Sequence, residues 1–237
     1  MRSVGYHEGS KTKTMVKYTV GIVCAAMVCA AASAEGPEEL SARTYSSNSA
    51  THGVVLFHVN WGRKWGCAGI ENAQLEALSF TRLDALRSAA GTLKLTTPSR
   101  LFVEDRSVPY AFLLEPGRYA LSGFDVKVAV SQWTIRHVQG TELQLVPDGK
   151  PAGGSFEVAA GEIVYIGHFA LDCTKEPIPW RYYINGSRDF ERYVAGFRKV
   201  FPFTKDVPVR YRLFETTRFG EPYTLVDDSA KPAPGPH

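Results

Sequence analysis

Apolar positions alternate with polar ones along most of this chain, and the period of two predicts strands rather than helices. Gly53-Val54-Val55-Leu56-Phe57-His58-Val59 is a short β-branched apolar run, and Leu75–Leu83 and Thr92–Thr96 alternate. Tyr110–Leu114 is apolar and closes on Glu115-Pro116-Gly117, a turn in which Pro presets φ and Gly tolerates a positive one. Arg118–Ser131 alternates at length, with Gly123 interrupting the phase at the place of a β-bulge. Thr134–Val146 reads as a hairpin around Gly140. Ser155–Val158 follows, and Glu162–Leu171 is apolar enough for a central strand. A last strand is predicted over Val209–Thr216. Short strands with Gly and Pro between them predict an all-β, mainly antiparallel β-sandwich.

One segment keeps a different period. Phe190, Tyr193, Val194, Phe197 and Val200 recur at helical spacing over 187–200. Ser187 precedes them, acids come early, bases come late, and Pro202 follows. This predicts a single C-terminal amphipathic helix packed on the sheet by its aromatic stripe.

The ends of the chain differ from the body. Val20–Ala34 is apolar and uncharged, is preceded by Lys11, Lys13 and Lys17, and ends in small residues at Ala32 and Ala34. That is the pattern of a cleaved signal peptide over 1–34, with Met15 an alternative start. The run is short for a bilayer span, which takes about 20 residues, so no integral span is expected after cleavage. Residues 35–52 read as a flexible polar leader, 53–226 as the single folded domain, and 227–237 as a disordered proline-rich tail.

Export changes the charge argument. The chain carries 27 Lys+Arg and 24 Asp+Glu, a net +3. Removing Arg2, Lys11, Lys13, Lys17 and Glu8 with the signal leaves the remainder neutral, so nucleic acid is not an expected partner. Cys24 and Cys29 leave too, and Cys67 and Cys173 remain to pair in an oxidising compartment, periplasmic or extracellular.

The segments Leu113–Phe124 (LLEPGRYALSGF) and Gly153–Gly167 (GGSFEVAAGEIVYIG) resemble exported bacterial proteins without assigned function, some of them lipoproteins. Those proteins carry a prealbumin-like or carboxypeptidase-regulatory-like β-sandwich. The resemblance covers roughly 101–172, and it implies the hairpin architecture and a cell-envelope setting but no catalytic residue.

Candidate chemistry is sparse. No H-x-H or H-E-x-x-H spacing, G-x-S-x-G or phosphate-binding loop occurs, so no metal, cofactor or catalytic residue is predicted. His168 and Asp172 share a strand face, and an envelope hydrolase using them is one alternative. Trp61, Arg63 and Trp65 precede Cys67, and Trp180, Arg181 and Tyr182 follow Cys173. Trp, Tyr and Arg are enriched at binding hot spots. A Cys67–Cys173 bond would bring the two groups together as a ligand-binding patch for an envelope glycan or protein. The leading expectation is a non-enzymatic binding or assembly module. A structural accessory domain working through a sheet edge is the third class.

Overall fold

Two six-stranded sheets pack face to face, as the alternation predicts. The computed structural model describes residues 37–86, 88–98, 107–173, 178–182 and 186–216, all within one compact unit spanning Ala34–His237. The segment read as a signal peptide, 1–34, and the one read as a disordered tail, 227–237, lie outside the described residues.

Sheet A contains β1 (Glu38–Glu39), β2 (Gly53–Asn60), β6 (Ser107–Leu114), β10 (Ile163–Asp172), β11 (Ile178–Tyr182) and β12 (Val209–Tyr211). Its order is β1-β6-β2-β10-β11, with β12 also on β10. The β2–β10 and β10–β12 pairs are parallel and the others antiparallel. Sheet B contains β3 (Lys64–Trp65), β4 (Asn72–Arg82), β5 (Thr92–Thr96), β7 (Gly117–Ser131), β8 (Thr134–Gly140) and β9 (Ser155–Val158). Here β4 and β7 form the centre, β3 and β5 pair with β4, and β8 and β9 pair with β7.

The main core lies between the sheets. Val55, Phe57 and Val59 from β2 and Val164, Ile166, Phe169 and Leu171 from β10 meet Leu75, Leu78 and Phe80 from β4 and Leu121, Val126 and Val128 from β7. A second core lies on the other face of sheet A. Val54, Leu56, Ile163 and Tyr165 are covered there by Phe190, Tyr193 and Phe197 of the amphipathic helix α3 (Gly186–Val200) and by Phe201 and Phe203 beyond it. The helix is therefore where the sequence predicts it, but Val200 is exposed and lies outside its buried stripe.

The strand irregularity predicted at Gly123 is present, and another lies in sheet A. The β4–β7 register shifts opposite Gly123. The β2–β10 register shifts between Tyr165 and His168, where Gly167 takes φ +107°. This bulge inserts one residue, so Tyr165 and His168 emerge on the same face, the one under α3.

Two readings of the sequence differ from the fold. Residues 37–52, read as part of a leader, hold β1 and a short helix α1 (Ala42–Asn48). Leu40 is buried and Tyr45 packs on Phe203, so two apolar anchors seat an otherwise polar segment. Ser41 caps α1, its side chain accepting from Thr44 N–H. The second half of the proposed 134–146 hairpin is a helical turn, α2 (Glu142–Leu145), which drops Leu145 into the main core. The partner of β8 is instead β7, joined by the turn at Gln132-Trp133.

A Cys67–Cys173 disulfide joins the start of sheet B to the end of β10 in sheet A, across a sequence separation of 106 residues. The Ala68 N–H donates to the Cys173 carbonyl beside it. Closing so long a loop restrains the unfolded chain by roughly 4–5 kcal/mol in the chain-entropy model. The double variant Cys67→Ser/Cys173→Ser should therefore unfold at a lower urea midpoint than the oxidised protein, by about 2–5 kcal/mol in stability. An unchanged midpoint would show that the clasp does not restrain unfolding.

Candidate functional site

The aromatic and basic patch proposed from the sequence divides in two. Trp61 is only 1% exposed and belongs to the main core, where its indole Nε1–H donates to Tyr110 Oη at 2.9 Å. Its carbonyl accepts from the Gln74 side chain at 3.0 Å. Trp61 is thus a structural residue and not part of a contact surface. Trp65, four residues on, is 59% exposed. The Arg63 guanidinium stands 5.6 Å from the centre of its ring, close enough for a cation–π contact. Trp180, Arg181 and Tyr182 belong to β11, which pairs with β10 from Ile178 to Tyr182. Their side chains lie outside the described residues.

The strand registers put Trp65 on a surface the sequence did not single out. Trp65 pairs with Asn72, Asn72 with Ala129, and Ala129 with Ile135. Cross-strand partners share a face, so Trp65 and Ile135 stand on the outer face of sheet B. They lie three strand spacings apart, about 14 Å. Ile135 is 56% exposed, and Trp133, in the turn before it, is 91% exposed. Next along the face come Gln74, Lys127 and His137, and then Ala77, Asp125 and Gln139. The surface is therefore apolar and aromatic at one end and polar along its middle. Among the described residues no helix covers it, whereas sheet A is covered on both faces. Trp133 was detectable in principle, because a tryptophan in a hairpin turn has no core to enter.

The His168–Asp172 pair does not form an acid–base couple. Four residues of extended strand separate the two by about 13 Å. His168 lies instead beside His58 on the neighbouring strand, ring centres 4.5 Å apart, with Tyr193 of α3 against both rings. Burial lowers the His58 pKa to about 4. Burial, with His58 adding to it, lowers that of His168 to about 3. Both rings are neutral near pH 7 and serve as aromatic packing between sheet A and α3.

Two further charged sites are structural. Glu162 is buried, accepts the Ala159 N–H at 2.7 Å, and pairs with Arg212 at 2.8 Å, tying the segment after β12 to the β9–β10 turn. Arg82 holds Asp84 and Glu115 together at the turn between β6 and β7. No protein-family model matches the chain, and no curated protein matches it in sequence.

The histidine pair makes stability depend on pH. In the unfolded chain both histidines titrate near 6.5, whereas the fold holds them neutral down to about 4 and about 3. Between those values the unfolded chain binds more protons, so stability is full above about pH 6.5 and falls as the pH drops towards 4. The loss is on the order of 2–3 kcal/mol for one such histidine. Urea unfolding at pH 7.5 and 4.5 should show a smaller acid loss for His168→Phe than for the parent. Equal losses in the two proteins would remove the histidines from the account.

Proposed function

We propose that this chain is an exported cell-envelope binding module, without catalytic activity, that takes an envelope glycan on the outer face of sheet B. The observation that carries this reading is the exposed Trp65–Ile135–Trp133 end of a sheet face that is otherwise polar and uncovered among the described residues. A sugar ring offers an apolar C–H face and a rim of hydroxyls. Exposed indoles suit the first, and Asn72, Gln74 and Lys127 on the same face suit the second. Arg63 supports Trp65 from one side and so presents a steadier surface to a ligand.

Export is the companion proposal. Its support is the signal-like segment over 1–34, together with a disulfide of the kind that persists in oxidising compartments. The resemblance of 113–124 and 153–167 to exported envelope proteins agrees with it. An accessory domain acting through β8, the edge strand of sheet B, is the competing reading.

Tryptophan fluorescence of the oxidised mature protein tests the site. Iodide should quench Trp65 and Trp133 and leave Trp61 dark to the quencher, and peptidoglycan fragments or other envelope glycans should protect the first two. Trp65→Ala and Trp133→Ala should each weaken glycan binding about tenfold or more, the scale of a hot-spot truncation. Failure of every glycan to protect, with a protein partner captured through β8 instead, would replace this reading with the accessory one.

A further inference from the structure

Glu76 on β4, Asp125 on β7 and His137 on β8 come from three adjacent strands and converge on the outer face of sheet B. One ligating atom of each lies within 4.8 Å of the other two. No sequence spacing announces them, because only the strand registers bring them together. A β-bulge does part of this. Leu75 pairs with Val126 and Ala77 with Asp125, leaving Glu76 as the extra residue opposite Asp125.

The bonds within the group are specific. His137 Nδ1 lies 2.7 Å from Asp125 Oδ1, and the Gln139 side-chain amide donates to Asp125 Oδ2 at 3.0 Å. The second contact fixes the plane of the carboxylate, as supporting residues around metal ligands do. Glu76 forms no side-chain hydrogen bond or ion pair among the described residues. Two cations stand on neighbouring positions of this face. Lys127 pairs with both Gln74 and His137, and Lys94 pairs with Ser79. Neither forms an ion pair with Glu76 or Asp125. Two carboxylates and one imidazole therefore share a small volume, an arrangement whose negative charge a divalent cation would offset.

We infer that Glu76, Asp125 and His137 form a binding site for a divalent transition-metal ion of the Zn(II) type. One imidazole nitrogen and two carboxylate oxygens make a three-ligand set of the mixed N/O kind that zinc accepts. Ligand atoms around a tetrahedral zinc stand roughly 3.4 Å apart, given bonds of about 2.1 Å. Side-chain rotations of about an ångström suffice: the 2.7 Å contact between His137 and Asp125 opens, and separations of up to 4.8 Å close. The ion takes the place of the hydrogen between His137 Nδ1 and Asp125 Oδ1, and the neutral ring, now a ligand through Nδ1, carries its hydrogen on Nε2 after exchange through solvent. Three protein ligands leave a fourth position for water or for a ligand oxygen. The site does not depend on the glycan reading, since its residues lie two and more positions along the strands from Trp65 and Ile135.

Calorimetric titration of the tag-free, oxidised protein with ZnCl2 tests it, with Co(II) absorption reporting the ligand geometry. One ion per chain is expected, with a tetrahedral Co(II) spectrum and a raised thermal unfolding midpoint. Glu76→Gln and Asp125→Asn should each weaken binding at least tenfold, and His137→Gln should abolish the tetrahedral spectrum. Glu76 and His137 are not core residues, so those two variants should keep the parent's unfolding midpoint without metal. No saturable binding below about 0.1 mM, a Kd that marks weak surface association, overturns the site. So does binding that Glu76→Gln and His137→Gln leave unchanged.

Discussion

The double burial of β10 is the constraint on which the rest of the fold depends. Every residue from Ile163 to Gly167 is buried, and alternate side chains enter the core between the sheets and the core beneath α3. Such a strand must have neighbours on each side and cover on each face. It gets β2 on one edge and both β11 and β12 on the other, the latter in series. The long chain segment after β10 exists in this arrangement to cover its helix-facing side. Gly167 sets the phase of that cover. With one extra residue in the strand, Tyr165 and His168 share a face and meet Tyr193 together. A Cβ at Gly167 would oppose the φ of +107° that makes the bulge.

A sandwich with one sheet covered twice has an asymmetric surface. Sheet A spends its polar positions on packing. Even its histidines are neutral, and its buried acid, Glu162, is fully engaged with backbone and Arg212. Sheet B keeps one face for solvent, and its outward residues are the mixed set that a solvated face can hold: Gln74, Glu76, Asp125, Lys127, His137 and Gln139. Trp65, Ile135 and Trp133 at one end of that face are exposed and add nothing to the core. Trp65 and Ile135 stand at opposite edges of the sheet with Asn72 and Ala129 between them, and exposed apolar side chains set singly are ordinary on proteins.

Alternation made β5 and β7 legible in the sequence, and a continuous apolar run made β10 so, because β10 is buried on both faces. The helix was legible from its own, different period. The elements that escaped carry little pattern of their own. Strands β1 and β3 have two residues each, and β11 contains Pro179, a residue that ordinarily argues against a strand. Helix α1 is held by Leu40 and Tyr45 within a polar sequence, so tertiary contact decided what local preference could not. The Cys67–Cys173 pairing was expected from the cysteine count and the export reading, and the bond is present. The patch around it was only partly legible. Trp61 and Trp65 look equivalent in sequence, yet Trp61 finds Tyr110 and enters the core while Trp65 lies on a two-residue strand facing out.

Histidines show why residue type without placement says so little about function. His58 and His168 are surrounded by aromatic rings, and desolvation removes their charge and with it most of their capacity for acid–base work near neutral pH. His137 is exposed, touches a carboxylate and has a second carboxylate within reach. The pair that the sequence places on one strand, His168 and Asp172, is too far apart to cooperate. The group that does converge comes from three strands and is invisible until their registers are known. Function in this fold is therefore to be sought where sheet geometry assembles polar side chains on an open face, and not where the sequence sets them side by side.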